Sequence, residues 1–179
     1  MKLRSLFFSL LTGGLLITGC LTDSETTSLA VGIVEGLRPI YSQDWQDIQS
    51  LDARPVDKLG KIYYKDSTIY VIESGWGIHV IDNTDPYQPV RIKFLQVPGC
   101  KDVAIRGNIM YADNVTDLVA LDISNLDDVK LLKRVEDLYP EVDQLAPEAY
   151  EGYFECVDPS KGAVVGWETA TLDNPQCWQ

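Results

Sequence analysis

The fold is decided by two similar stretches, IHVIDNTDP at residues 78–86 and LVALDISNL at residues 118–126. In each, apolar residues typical of strands lead to an aspartate, Asp82 or Asp122, and turn residues follow it. The two aspartates lie 40 residues apart, whereas the preceding tyrosines, Tyr70 and Tyr111, lie 41 apart. The difference falls in the intervening turn, where deletions are tolerated because loops run over the surface. The chain therefore contains an internal repeat.

Around these stretches, short runs of β-branched and aromatic residues alternate with turn residues over residues 57–137. The dipeptide DS at 66–67 matches GN at 107–108 as a hairpin turn. Short strands separated by tight turns predict antiparallel sheets. A period of about 40 residues with about four strands is typical of a propeller blade. We therefore expect a mostly β fold of antiparallel, propeller-like blades, with two clear copies in residues 57–137.

The repeated strands resemble the motif of the LVIVD-repeat proteins. The resemblance is carried by LVALDISN at residues 118–125 and by GNIMYAD at residues 107–113, with IHVIDNTDP as a looser second copy. Members of that family are bacterial and archaeal envelope proteins expected to form β-propellers. The resemblance covers roughly residues 60–135, and it implies an envelope protein built from blades.

Residues 138–179 are predicted to contain an acidic, proline-bounded loop and a degraded third copy of the repeat. The segments YFECVD at 153–158 and GAVVGW at 162–167 have the strand–turn–strand pattern, but Trp167 stands where the aspartate should be. The number of blades is therefore left open by the sequence.

A short amphipathic helix is predicted over residues 41–56. Ser42 can cap it, and the residue before Pro55 is pushed out of helical geometry, which ends it. Its apolar residues recur at helical spacing: Trp45, Ile48 and Leu51. We expect the Trp45 face to pack on the blades.

Residues 1–19 are predicted to be a signal peptide, because Lys2 and Arg4 precede a short apolar run. That run is about a dozen residues, whereas a helix needs roughly 20 to cross a bilayer. The end, ITGC at 17–20, resembles the bacterial lipobox, which implies cleavage before Cys20 and its acylation. Several acyl chains make such an anchor durable. The alternative is an ordinary signal peptide with a chance cysteine.

Leu21 follows Cys20 where an aspartate would resemble an inner-membrane retention signal, so we expect an outer-membrane lipoprotein if the cell has two membranes. Residues 20–40 begin with a polar, aperiodic stretch and are predicted to form a flexible tether. Removing the signal peptide leaves 13 of the 15 basic residues against 27 acidic ones, a formal charge of −14. Nucleic-acid binding is excluded as a function class, because it depends on basic side chains that neutralise phosphates.

Three cysteines remain beyond the anchor, and export would place them where disulfides persist. Three is an odd number, so one thiol is left over. We favour the pair Cys156 and Cys177, which leaves Cys100 free. A zinc site is not supported, because there is no Cys-x-x-Cys and His79 is the only histidine.

The repeated aspartates, Asp82 and Asp122, are predicted to accept hydrogen bonds from backbone amides two residues on and so to close turns. Calcium binding by Asp82, Asn83 and Asp85 is the less favoured alternative, because the spacing of known calcium loops is lacking. His79 is expected to be a packed histidine. No nucleophile motif or phosphate-binding loop is present, and we predict no cofactor, no metal and no enzyme activity.

The sequence favours a binding or scaffolding module on the envelope, with a protein or glycan as ligand. The alternatives are a propeller-type enzyme acting on polysaccharide and a purely structural envelope component. About 160 residues remain after processing, whereas propellers use four to eight blades of roughly 40 residues. Two clear copies cannot close a ring, so we also consider a partner chain that completes an open stack of blades, whose strand edges invite pairing.

Overall fold

The computed structural model describes residues 32–139 and 144–179, which form three β-sheets. The strands are β1 (Ile33–Ser42), β2 (Gln49–Asp52), β3 (Ile62–Lys65), β4 (Thr68–Glu73), β5 (Gly77–Asp82), β6 (Val90–Gln96), β7 (Val103–Arg106), β8 (Ile109–Asn114), β9 (Asp117–Asp122), β10 (Lys130–Val135), β11 (Tyr153–Phe154), β12 (Ala163–Asp173) and β13 (Cys177–Trp178). A 3-10 turn at Pro159–Lys161 precedes β12. The predicted mostly β class is confirmed. The predicted signal peptide and Cys20 lie outside the described residues.

Strands β3–β6 and β7–β10 form two equivalent units, the first unit and the second unit. Each is an antiparallel meander in which every strand pairs with the next along the chain. The hairpin turn at 66–67 opens the first unit and the turn at 107–108 opens the second. Asp66, Ser67 and Gly107 adopt the positive φ that such two-residue turns require.

The two units also share their register and one irregularity. His79 on β5 lies opposite Phe94 on β6, and Val119 on β9 lies opposite Arg134 on β10. The last pair of strands in each unit also carries a β-bulge at the equivalent place. The register shifts between Val80 and Ile81 in the first unit and between Ala120 and Leu121 in the second. The internal repeat in the sequence is therefore a repeat of strand order, register and bulge, although β2 extends only the first unit.

The core lies between the two units, which pack face to face. It is built from alternating strand residues that are at most 9% exposed. The first unit contributes Tyr70, Ile72, Ile78, Val80, Leu95 and Val97, the connection contributes Cys100, and the second unit contributes Val103, Ile105, Met110, Ala112, Val119, Leu121 and Ile123. Full burial of each large apolar side chain is worth roughly 1.5–3 kcal/mol. None of the sheets closes on itself in the described residues, so the predicted antiparallel sheets are confirmed and the predicted propeller is not.

The predicted helix over residues 41–56 is wrong. This segment completes β1, turns at residues 43–46 and continues into β2. Pairing of Gln49–Asp52 with the edge of β6 satisfies backbone groups that a helix would satisfy internally. Ile48 still packs against the core. The apolar spacing therefore correctly predicted which side chains pack inward. The segment is nevertheless not a helix, because it pairs with β6.

The third sheet joins the two ends of the described chain in the order β12–β1–β11–β13. The tether predicted over residues 20–40 is wrong in part, because β1 begins at Ile33 and pairs along its whole length with β12. The degraded third copy at 153–167 is also not a repeat unit. Strand β1 lies between β11 and β12 and runs parallel to β11, so the two segments do not form a hairpin. Part of the predicted acidic loop, residues 140–143, lies outside the described residues.

Cys156 and Cys177, the pair that the sequence analysis preferred, form a disulfide in this sheet. Their Cα atoms lie 5.3 Å apart, and the bridge ties β13 to the end of β11. Among the described cysteines Cys100 is the free one, and it is buried in the core. A disulfide closing a loop of this size stabilises a fold by about 3 kcal/mol, chiefly by restricting the unfolded chain.

Candidate functional site

The repeated aspartates close turns after the third strand of each unit. Asp82 Oδ1 accepts hydrogen bonds from the Thr84 amide at 2.9 Å and the Thr84 hydroxyl at 2.6 Å. Asp122 Oδ1 accepts from the Ser124 amide at 2.9 Å. The Thr84 hydroxyl and amide lower the pKa of Asp82, and the Ser124 amide and hydroxyl lower that of Asp122. Across residues 32–139 and 144–179 no group of three or more His, Cys, Asp or Glu side chains is placed to hold a metal ion.

A buried charged cluster lies at the end of the first unit. His79 Nε2 lies 2.6 Å from Glu73 Oε2, and Arg54 donates to the same oxygen at 2.9 Å. The Arg54 guanidinium also lies 4.0 Å from the centre of the Phe94 ring, and the ring of Phe94 lies 4.8 Å from that of His79. We call these four residues the Glu73 cluster.

The Glu73 cluster is closed to solvent on the side of its histidine. His79 is fully buried and Glu73 is 3% exposed, whereas Arg54 is 39% exposed and caps the group. A histidine beside a carboxylate can act as a general base only if a substrate reaches the imidazole. His79 therefore packs the fold, and Glu73 and Arg54 are partners that the sequence analysis missed. The available signal was Glu73 itself, a charged residue directly following the apolar run YVI.

The second unit has a different buried polar cluster at the equivalent end. Asn114 donates to the Trp45 carbonyl at 2.8 Å and to the Pro98 carbonyl at 2.7 Å. Arg134 donates to Asn114 Oδ1 and to Asp117 Oδ2, each at 2.7 Å. Its guanidinium lies 5.6 Å from the centre of the Trp45 ring. This Asn114 cluster joins the turn at 43–46 to the second unit, which explains the partial burial of Trp45 without a helix.

A cleft of about 560 Å³ opens where the three sheets converge, beside the loops that follow these clusters. The first unit and the segment before it contribute Lys58, Gly60, Lys61, Ser74 and Gly75; the second unit and the connection contribute Gly99, Lys101 and Val115; the third sheet and its loop contribute Leu37, Gln144, Pro147, Glu148, Val164, Val165, Gly166 and Trp167. A concave site of this size with apolar walls and a few polar groups is typical of ligand binding.

The cationic groups of the cleft are three lysines held by local partners. Lys58 Nζ donates to the Trp167 carbonyl at 3.2 Å, and Lys101 Nζ lies 3.1 Å from Glu148 Oε2. Lys61 Nζ lies 2.5 Å from Asp102 Oδ2. This hydrogen bond raises the pKa of Lys61 and lowers that of Asp102. The rim therefore offers ammonium and carboxylate groups beside apolar walls, a combination suited to a ligand with hydroxyl or mixed polar groups.

Two glycines allow close backbone approaches beside the cleft, Gly75 against the third sheet and Gly99 against the turn between β8 and β9. Gly75 has φ +86°, and a Cβ there would lie 2.6 Å from the Val165 carbonyl oxygen of the third sheet. Gly99 has φ +75°, and its Cβ would lie 2.7 Å from Val115 Cγ2. No other residue fits either position without moving backbone.

The free thiol does not contribute a reactive group to the cleft. Cys100 is fully buried, and burial raises the pKa of its thiol well above the ordinary value. A thiol must ionise to act as a nucleophile or a metal ligand. Cys100 is therefore a core residue.

Comparison of the chain with protein-family models, with curated proteins and with solved structures found no match. Among residues 32–139 and 144–179, no helix has the length and apolar character needed to cross a membrane.

We expect Asp122→Ala to lower the melting temperature, because it removes the acceptor of the Ser124 amide, whereas Asp122→Asn retains an acceptor oxygen. The pKa of Asp122 is lowered by folding, so the ionised carboxylate stabilises the fold above the unfolded pKa of about 3.9. That stabilisation is lost as pH falls through the folded pKa. Thermal unfolding at pH 7, 5 and 3 should show the gap between wild type and Asp122→Ala shrinking at pH 3. A gap that stays constant would contradict this account.

We expect Glu73→Leu to lower the free energy of unfolding by about 3 kcal/mol, because it leaves Arg54 and His79 without their carboxylate. The value lies at the low end of the usual range since Arg54 can reach water. Urea unfolding followed by fluorescence measures it. As a control, Arg54→Leu combined with Glu73→Leu should recover part of the loss, since no unpaired guanidinium remains. A loss below about 1 kcal/mol in Glu73→Leu would show that the interactions of Glu73 with Arg54 and His79 contribute little to stability.

Proposed function

We propose that this chain is a lipid-anchored envelope protein that acts as a non-catalytic binding or scaffolding module. Its ligand, a glycan or a protein segment, would occupy the cleft between the three sheets. The observation that carries the proposal is the cleft itself, which combines apolar walls with three lysines in a chain of formal charge −12. The proposal is supported by Gly75 and Gly99, which line the cleft at positions where a side chain would collide with neighbouring atoms.

Kinship with the LVIVD-repeat proteins is part of the proposal. It is supported by the motif residues at 118–125 and by the equivalence of the two units, which repeats the hairpins, the register and the bulge. A propeller formed from such units would need further blades, because the third sheet does not share their topology.

The envelope location rests on the N-terminal sequence. Lys2, Arg4, the apolar run and ITGC at 17–20 support cleavage before Cys20 and its acylation. The membrane would then be a partner through the acyl chains, on the outer membrane where two membranes exist. The excess of 27 acidic over 15 basic residues argues against nucleic acid as a partner.

The absence of catalysis is proposed because of the chemistry that faces the cleft. Glycoside hydrolysis commonly needs two carboxyl groups on either side of the bond that is cut. Within the described residues, the cleft is lined by one carboxylate, Glu148, and that group is paired with Lys101. His79 and Cys100, the residues best suited to proton transfer or nucleophilic attack, are buried away from it.

The anchor is tested by Cys20→Ser in the native host. Wild-type protein should sediment with membranes and partition into the detergent phase, because acyl chains transfer from water to lipid at roughly 0.8 kcal/mol per buried methylene. The variant should partition into the aqueous phase, and Ser24→Ala should behave as wild type. Unchanged partitioning of Cys20→Ser would refute the anchor.

The binding site is tested with an array of bacterial envelope glycans and of peptides, followed by titration of any compound bound. Ser74→Trp should weaken binding at least tenfold, because Ser74 is exposed at the rim of the cleft and the indole would fill it. Thr171→Trp, an exposed position on β12 that does not line the cleft, is the matched control. Equal affinity of both variants would place binding elsewhere. Turnover of a glycan that is lost in Glu148→Gln would favour the enzyme alternative.

A further inference from the structure

Among residues 32–139 and 144–179, nothing covers one face of the second unit, although its counterpart in the first unit is buried. In the first unit this face carries Tyr70, Ile78, Val80 and Leu95, all at most 7% exposed beneath the second unit. The register places the following residues at the equivalent positions: Tyr111, Leu118, Ala120 and Val135. Tyr111 is 38% and Val135 is 41% exposed. They line an apolar groove of about 340 Å³ together with Ile109, Leu132 and Lys133. We call this surface the outer face of the second unit.

The first unit exposes residues equivalent to those that cover such a face. Val103 and Ile105 of the second unit are 7% and 8% exposed in the core, whereas their counterparts Ile62 and Tyr64 are 66% and 62% exposed. In the same way Leu126 packs on the core, while its counterpart, Pro86, is exposed. We call this surface the outer face of the first unit. At its other end Val71 and His79, the counterparts of Ala112 and Val119, are already buried, and Arg54 lies over Phe94. The exposed part of this face therefore lies around Ile62 and Tyr64.

Among the polar contacts that join the two units is an ion pair whose counterpart residues are not paired with each other within the described residues. Lys93 of the first unit lies 2.7 Å from Asp127 of the second. Lys133 is equivalent to Lys93, because Lys133 lies opposite Ala120 and Lys93 lies opposite Val80, the position in the first unit that corresponds to Ala120. Tyr87 is equivalent to Asp127, because each donates its amide to a side chain two residues earlier, and it is 94% exposed. Lys133 forms no ion pair within the described residues. An ammonium group and a tyrosine ring attract one another.

We propose that the outer face of the second unit in one copy of this chain binds the outer face of the first unit in a second copy. This contact would repeat between copies the interface that the two units make within one chain, with Lys133 of one copy meeting Tyr87 of the next. The same chain carries both halves, so a second copy fits better than an unrelated partner. The contact is head-to-tail, and such contacts either close into rings or extend into open stacks. The proposal does not depend on a ligand in the cleft.

Cross-linking distinguishes this geometry from other dimers. Tyr87→Cys and Lys133→Cys are prepared in the full chain carrying Cys20→Ser, which removes one competing thiol. After treatment with a short bis-maleimide, a mixture of the two variants should yield at least five times more covalent dimer than either variant alone. Efficient cross-linking of Lys133→Cys alone would indicate a face-to-face dimer and overturn the proposal. Equal yields in all three samples would indicate random collision and would also overturn it.

Association is then measured by sedimentation velocity over a range of concentrations on the same background. The weight-average mass should at least double as concentration rises, and Leu132→Glu should abolish the increase because it places a carboxylate in the groove. Ile33→Glu, which alters an even more exposed apolar residue outside both faces, should associate as the parent does. Circular dichroism confirms folding of each variant, which is expected because Leu132 is 53% exposed. A mass that never rises, or that rises equally in Leu132→Glu, would refute the proposal.

Discussion

Face-to-face packing of two equivalent antiparallel units is the constraint on which the rest of this structure depends. Neither unit could bury its apolar face alone, since an isolated four-stranded sheet leaves both faces in water. Packing one unit on the other removes the core residues from solvent and brings the loops after β4 and β8 to the same end of the molecule. The third sheet, which joins both ends of the described chain, meets them there. The cleft is a consequence of this convergence.

The two buried polar clusters occupy equivalent ends of the two units but are built from different side chains. At equivalent ends of the units, the first places a carboxylate between a histidine and an arginine, and the second places an amide among two carbonyls and an arginine. Each arginine also lies over an aromatic ring. Hydrogen bonds pair most of the buried polar atoms of the two clusters, although Arg54 Nε and His79 Nδ1 in the first have no hydrogen-bond partner within the described residues. A buried polar atom left unpaired costs of the order of 1–3 kcal/mol. The two clusters hold segments 43–46 and 53–60 against the units, and the second of these segments leads into Lys58 and Gly60 at the cleft.

The exposure of the outer faces of both units follows from the same packing. A repeat unit that packs against a neighbour on one face only leaves the apolar residues of its other face in water, and a further unit is needed to bury them. Here the chain continues after the second unit into a sheet of different topology, and the outer faces of both units keep apolar residues in solvent. The proposed binding in the cleft and the proposed association through the outer faces use separate surfaces, so one need not exclude the other.

The sequence by itself determined the repeat, its hairpin turns, the turn aspartates Asp82 and Asp122 and the β class, because each depends on neighbours within a few residues. The helix over 41–56, the length of the tether and the third repeat were wrong, because strand pairing with β6 and β12 supplies partners from distant parts of the chain. Only the tertiary structure placed Arg54 and Glu73 beside His79 and brought three sheets around a cleft. Long-range pairing decides such positions, since the backbone takes whichever partner buries most apolar surface while satisfying its hydrogen bonds.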